Sequence, residues 1–405
     1  MNALSKALGL MVVGALVVTA AAQPREESWA QPADRAQLAQ TLVNQCASIG
    51  HDELILISGG TRDLDLLENI AVEVRRLGAH PIVTVESERL DRRFITDVPT
   101  KFDTQRPAFA LKLAEMIDAH FYVDHRERPD LLADIDPTRL MRVGHAQLAV
   151  GETMLKRGVR QIYLGNGLYP TNATAKQFGV SQDNLARCFW NAVNVDYTRL
   201  QATGEQVRTR LIDGNQLKIT APNGTNLTVK IAERPVFVSD GVISTKDRQP
   251  GRPSCQAWLP AGEVYVTPVP GTANGTFVAD YFFYEGQPIE GLKLKFKDGR
   301  LLDDMTAAKG DIELLKKRYY ASPEGREQFA VIDIGINPDL QIPRDSRMVT
   351  WMAAGTISIG VGNNTWAGGD NNVPFWMAAH LTNGTLTVDG QTIVDQGKLV
   401  VREIE

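Results

Sequence analysis

The chain has 405 residues, more than a single compact core normally holds, so its length favours two domains. Charged residues make up 22% and hydrophobic residues 43% of the sequence, which excludes a wholly disordered chain and a protein with several membrane spans. Lys and Arg number 43 against 48 Asp and Glu, a net charge of −5, so the composition indicates no general basic surface for nucleic acid. We therefore expect no nucleic-acid partner.

Residues 1–22 have the three parts of a secretory signal peptide. Lys6 supplies a positive charge, an apolar run extends from Leu8 to Ala22, and the last three residues of that run are small, as a signal peptidase requires. The run is shorter than the ~20 residues that a membrane span usually needs. We predict cleavage near Ala22 and an exported protein, periplasmic or secreted, with no stable membrane span. An uncleaved N-terminal anchor is the alternative.

The first half of the chain alternates predicted strands and helices. Short apolar runs and helical stripes predict strands at 54–57, 81–85, 121–123 and 161–165 and helices at 35–47, 63–77, 107–119, 139–157 and 181–200. This alternation predicts a Rossmann-like α/β domain with a mostly parallel sheet over residues 23–202. The turn at residues 58–61 could cradle a phosphate at a helix N-terminus, but it lacks the three-glycine spacing, so we favour a plain tight turn.

The second half has the alternation and turn residues of antiparallel strands. Asp-Gly and Asn-Gly pairs separate predicted strands at 207–212, 216–220, 226–231, 292–296, 300–302, 386–388 and 391–394, and a helix is predicted at 308–319. We therefore predict an α+β domain with an antiparallel sheet over residues 203–405.

An ordered set of short segments in the second half carries a family resemblance. The segments are 211–215, 221–227, 259–268, 271–275, 291–300, 334–338, 354–362 and 368–371. Their order resembles the aminopeptidase T family, also called the thermophilic aminopeptidases, which are two-metal exopeptidases. The likeness covers most of the chain after residue 22 and is strongest from about Leu211 onward.

The resemblance implies an N-terminal α/β domain, a C-terminal α+β domain with a dinuclear site for zinc, cobalt or manganese, and a homodimer. It places the metal-bridging carboxylate at Glu263, which would also be the catalytic residue. A second acidic ligand of the family aligns with Asp333, whose side chain is one methylene shorter than the family's Glu. Related folds also serve a ring-opening dioxygenase of hydroxylated pyridines, whose iron needs imidazole and carboxylate ligands.

At three other metal-ligand positions of the family, this chain has residues that cannot replace a metal-bound imidazole or carboxylate. The family's first histidine falls on Ser358, and its His-x-Asp pair falls on Trp376 and Ala378. Only one histidine, His380, follows residue 145, so it is the candidate for a displaced ligand; a strand-end histidine without a ligand role is the alternative. The candidate metal ligands are therefore Glu263, Asp333 and His380.

Aromatic residues cluster where the resemblance places the cleft. Trp366, Phe375 and Trp376 are candidates for binding a substrate, with Trp351 close in sequence, because such side chains form apolar or ring-stacking surfaces. Ordinary core packing explains each residue singly and is the alternative.

The first half contains candidates for a second polar group, with solvated surface charge as the favoured alternative. His125 follows a predicted strand, and Arg139, Arg142 and His145 share the next predicted helix, so these side chains are candidates for a cluster facing the second domain.

Two functions remain open from the sequence. In the first, the chain is an exported aminopeptidase-T-like enzyme that releases N-terminal amino acids through a reduced divalent-metal site. In the second, it is a protein without catalysis and without a metal, which binds a peptide or small-molecule ligand on the same fold.

Overall fold

The computed structural model describes residues 34–248 and 253–400. The predicted signal peptide and its cleavage site near Ala22 lie outside these residues. In the described part of the chain, no helix is both long and apolar enough to cross a membrane.

The strands, in chain order, are β1 Leu54–Gly60, β2 His80–Glu86, β3 Ala119–Val123, β4 Arg160–Leu164, β5 Gln216–Thr220, β6 Asn226–Lys230, β7 Val236–Ser239, β8 Gln256–Leu259, β9 Glu263–Val266, β10 Asn274–Tyr284, β11 Gln287–Lys297, β12 Arg300–Leu301, β13 Phe329–Gly335, β14 Ile357–Gly362, β15 Trp376–Leu381, β16 Thr385–Val388, β17 Gln391–Asp395 and β18 Lys398–Leu399.

The α-helices are α1 Arg35–Gln40, α2 Leu64–Arg76, α3 Glu88–Thr96, α4 Ala108–Met116, α5 Pro137–Arg157, α6 Asn172–Phe178, α7 Gln182–Val193, α8 Tyr197–Ile212 and α9 Glu313–Ala321. Helix α1 continues directly into a π-helical turn over Thr41–Cys46.

Three sheets organise these elements. A parallel sheet has the order β2-β1-β3-β4-β8, and α-helices connect its successive strands β1 to β4. An antiparallel sheet has the order β12-β11-β10-β6-β5-β16-β17-β18, and a second antiparallel sheet has the order β15-β14-β13-β9-β7. The predicted fold class, a mostly parallel α/β half followed by a mixed half with antiparallel sheet, is confirmed.

The parallel sheet brings residues from both halves of the chain together. Its fifth strand, β8, comes after residue 202 and pairs in parallel with β4 of the first half. The predicted boundary between residues 202 and 203 falls inside helix α8. The division into domains at 23–202 and 203–405 therefore stays a prediction, and the two halves share a sheet.

The predicted strand at 207–212 is wrong, because these residues form the end of α8. Leu200, Gly204, Val207 and Leu211 are the buried positions, and their spacing of three and four residues is that of one helix face. Val207 and Leu211 fit both a strand and a helix pattern, and packing against the core decides between them.

Two helix boundaries also differ from prediction. The single helix predicted at 181–200 is two helices, and Asp196 caps the second by accepting hydrogen bonds from the backbone N–H groups of Thr198 and Arg199. The helix predicted at 308–319 begins only at Glu313, because Gly310 has a left-handed φ of 94° that a helix does not continue through.

Candidate functional site

A row of side chains crosses the sheet β15-β14-β13-β9-β7 on one face. Directly opposite residues of antiparallel strands point to the same side, and the row is Phe237, Tyr265, Asp333, Ser358 and His380. Side chains two positions along a strand share that face. Glu263, Trp376 and Ala378 therefore lie on the same face, so the fold gathers every position that the resemblance assigned to metal binding.

Glu263 and Asp333, here called the carboxylate pair, are almost fully buried, with 5% and 1% of their surface exposed. Nδ2 of Asn166 donates a hydrogen bond of 2.7 Å to Oε1 of Glu263. Oδ1 of Asp333 is buried and has no hydrogen-bond partner among the described residues. Glu263 is the first residue of strand β9.

Burial sets the protonation of the carboxylate pair. It raises the pKa of Glu263 to about 7, which the hydrogen bond from Asn166 offsets only in part. Burial also raises the pKa of Asp333 well above its usual range, and the nearby charge of Glu263 raises it further. In the described residues, neither carboxylate forms a salt bridge with a Lys or Arg side chain that would favour its charged form.

His380 lies apart from the carboxylate pair. Its Nδ1 is 2.8 Å from Oγ of Ser358, and its ring meets the ring of Trp351 edge-on at 4.8 Å between centroids. Burial lowers the pKa of His380 to about 4, so the imidazole is neutral at neutral pH. In the ladder, Ser358 stands between His380 and Asp333, which places their backbones about 10 Å apart.

The predicted ligand set of Glu263, Asp333 and His380 is therefore not brought together as a metal site. Within residues 34–248 and 253–400, no group of three or more His, Cys, Asp or Glu side chains is placed to hold a metal ion. A hydrolytic metal ion commonly has three protein ligands and an open position for water. The carboxylate pair supplies two ligands, and the donor set does not fit the dinuclear site that the resemblance implies.

An aromatic ring covers the face where that site would lie. A Cβ at Gly360 would overlap the six-membered ring of Trp376, so this glycine admits the ring against strand β14. Trp376 stacks on Trp351 with 6.0 Å between centroids and 14° between planes, and it meets Trp366 at 90° and 5.2 Å. Trp258 completes this tryptophan cluster, 6.2 Å from Trp366.

The tryptophan cluster and the carboxylate pair border one cavity of about 450 Å³ between the two halves of the chain. The remaining wall residues are Leu148 of α5, Asn166, Asn363, Val373, Pro374 and Phe375. Of the predicted substrate-binding residues, Trp366, Phe375 and Trp376 all border the cavity. Phe375 is 4% exposed and packs edge-on against Tyr319, which is the core role considered as the alternative.

Trp351, noted in the sequence beside the other aromatic residues, also borders the cavity, whereas Asn166 and Trp258 are wall residues that were not predicted. Asn166 had a usable signal, because it follows strand β4 between two glycines, where an open α/β sheet places its binding groups. Its φ of 43° is left-handed, which asparagine tolerates better than most residues. Trp258 belongs to β8, whose place beside β4 was not visible in the local pattern.

The candidate polar cluster of the first half is not formed. Arg139 and Arg142 both bind the buried carboxylate of Asp103, at 3.1 and 2.9 Å. His125 contacts Asp91 and the hydroxyl of Tyr122, each at 3.0 Å. These are two separate groups within the α/β half, and His145 is exposed.

The fold joins a parallel α/β half to an antiparallel half, with two carboxyl groups bordering the cavity between them. The chain resembles wild-type AmpT from Thermus thermophilus with a TM-score of 0.69 at 17% identity, over 91% of this chain and 99% of that one. It resembles 2,5-dihydroxypyridine dioxygenase from Pseudomonas putida KT2440 with a TM-score of 0.59 at 15% identity, over 92% and 99%. At these identities the likeness concerns the fold.

The sequence model described as thermophilic metalloprotease (M29) matches residues 33–323. The chain belongs to this family, and the predicted resemblance is confirmed. The family is one of metal-dependent peptidases, which use a divalent metal ion. The matched region includes Glu263 and ends before Asp333 and strands β14 and β15. No curated protein matches the sequence.

Proposed function

We propose that this M29-family protein binds a small-molecule or peptide ligand in the cavity between its halves and does not carry out two-metal hydrolysis. The observation that carries the proposal is the position of Trp376. Its ring packs against Gly360 on the face that carries the carboxylate pair, at a position where the resemblance requires a metal-binding imidazole.

The chemistry of the cavity supports binding over hydrolysis. Metal-assisted hydrolysis needs an ion that activates water and stabilises developing charge, and that ion needs imidazole or carboxylate ligands. Ser358 and Ala378 supply neither, and His380 is turned to Ser358 and Trp351. The cavity volume and its mainly apolar wall with a few polar groups are typical of small-molecule sites.

The proposal includes export, because residues 1–22 have the pattern of a cleaved signal peptide. A binding protein outside the cytoplasm would meet small molecules and peptides from its surroundings.

Peptidase assays distinguish the proposal from a metal-dependent exopeptidase. Aminoacyl p-nitroanilides are incubated with the protein and added zinc, cobalt or manganese, and with a matched Glu263→Gln variant. We expect both proteins to release nitroaniline at the same background rate. A wild-type rate more than about tenfold above that of the variant contradicts the proposal, since only a reaction that uses Glu263 depends on its charge.

A further inference from the structure

The cavity wall carries two buried carboxyl groups, Glu263 and Asp333, and neither pairs with a Lys or Arg side chain of the described residues. Glu263 receives one hydrogen bond from Asn166, and Oδ1 of Asp333 receives none among the described residues. A buried acceptor that lacks a donor costs about 1–3 kcal/mol, so proteins rarely keep one without a use. A ligand that brings N–H donors and positive charge to this point would satisfy both carboxylates.

The walls of the cavity suit the same kind of ligand. Trp366 and Trp376 stand at 90° to each other, and Trp351 lies parallel to Trp376, so the rings form a corner beside the carboxylate pair. The face of an indole ring attracts a cation, and tryptophan does so better than tyrosine or phenylalanine. Rings arranged in this way also accept the apolar body that carries the charge.

A third group indicates where the ligand has an acceptor. Nε1 of Trp258 is buried and makes no hydrogen bond within the described part of the chain. An indole N–H is only a donor, so its natural partner is an oxygen. Trp258 and Asp333 border the same cavity. Nε1 of Trp258 lacks an acceptor and Oδ1 of Asp333 lacks a donor among the described residues.

We infer that the cavity binds an organic ammonium ion whose N–H groups donate to Asp333 and Glu263 and whose apolar body packs against Trp351, Trp366 and Trp376. The inference rests on the proposed function and names its ligand class. An oxygen on the ligand accepts from Trp258. A free aromatic amine and the amino terminus of a peptide both present this chemistry, and the test separates them.

Isothermal titration at about pH 8, where an alkylamine is protonated, compares four probes. Phenethylammonium carries the charge, 2-phenylethanol is its neutral counterpart, phenylacetate is anionic, and phenylalanyl-alanine amide presents the ammonium on a peptide. We expect phenethylammonium to bind at least about tenfold more tightly than 2-phenylethanol, and phenylacetate not to bind. The peptide amide binds comparably if the cavity receives amino termini, and more weakly if it receives free amines.

Variants assign the binding to these residues. Asp333→Asn keeps the side-chain shape. We expect it to lower the affinity for phenethylammonium by at least about tenfold and to change the affinity for 2-phenylethanol by less than about twofold. Trp376→Leu weakens both probes, and Trp376→Phe keeps part of the affinity. The matched control is Asp370→Asn, which makes the same substitution at an exposed residue outside the cavity wall and leaves both affinities unchanged. If Asp333→Asn does not fold, Glu263→Gln takes its place.

Two results overturn the inference. Equal affinity of the wild type for the amine and the alcohol, with loss of both in Trp376→Leu, means that the cavity binds ligands but does not select cations; the proposed function then stands alone. No binding of any probe, together with metal-dependent peptide turnover lost in Glu263→Gln, overturns the proposed function as well.

Discussion

Replacing Glu263 with Gln is expected to raise the free energy of unfolding by about 3 kcal/mol at pH 8. The pKa of this carboxyl group is about 7 in the folded protein, against an ordinary value of 4.5, and each unit corresponds to about 1.4 kcal/mol. Gln has the same shape and still accepts the hydrogen bond from Asn166. The variant therefore removes the cost of ionising a buried acid and keeps the packing.

The pH dependence of this gain follows from the direction of the shift. Glu263 binds its proton more tightly in the folded than in the unfolded state. Its contribution to the free energy of unfolding of the wild type is therefore largest below pH 4.5 and decreases as the pH rises toward 7. The difference between variant and wild type should thus be small near pH 4 and complete above pH 7. Chemical denaturation across this range measures it.

Glu115→Gln, at an exposed position of α4, is the matched control and should change the free energy of unfolding by no more than about 0.5 kcal/mol at any pH. A loss of stability in Glu263→Gln at pH 8 would contradict the account. It would mean that the carboxylate is ionised and held by a cation.

Restoring the replaced ligands together is expected to create a metal site. The variant combines Ser358→His, Trp376→His and Ala378→Asp, all on the face that carries the carboxylate pair. It adds two imidazoles and a carboxylate and removes the ring that lies against Gly360. We expect its affinity for cobalt to exceed that of the wild type by more than about 100-fold, or about 3 kcal/mol. Calorimetric titration measures the affinity, and the visible absorption of bound cobalt reports its coordination.

The single variant Ser358→His is the control for this experiment. Its imidazole would lie beside Asp333 in the ladder, but Trp376 still covers the neighbouring position, so we expect a gain below about tenfold. Equally tight cobalt binding by the wild type and the triple variant would show that the native residues already form the site, and equally weak binding would show that these three positions do not complete one.

The parts of the fold with a repeating local pattern could be predicted from the sequence. Strands β1 and β3 coincide with short apolar runs, and helix α2 has apolar residues at helical spacing along its length. The sequence predicts all three elements correctly. Val207 and Leu211 fit two periods, so only packing against the core could decide for a helix. The return of β8 to the parallel sheet depends on a pairing with residues about a hundred positions earlier, which no local pattern contains.

The residues of the candidate site could be predicted from the sequence, but their surroundings could not. Glu263 and Asp333 were identified by the family resemblance, and the missing ligands were evident from the identity of Ser358 and Trp376. The burial of the carboxylate pair, the unpaired Oδ1 of Asp333 and the angle between the tryptophan rings depend on tertiary packing. For the same reason the sequence indicates His380 as a candidate displaced ligand, although in the fold Ser358 separates it from Asp333.

The metal content of the purified protein tests the central claim most directly. The wild type is dialysed against trace zinc, cobalt and manganese, then against metal-free buffer, and its metal is measured by inductively coupled plasma mass spectrometry. Because no three His, Cys, Asp or Glu side chains of residues 34–248 and 253–400 are placed to hold an ion, we predict less than about one ion for every ten chains. Two tightly bound ions per chain would contradict the account, because the native residues would then form the dinuclear site of the family.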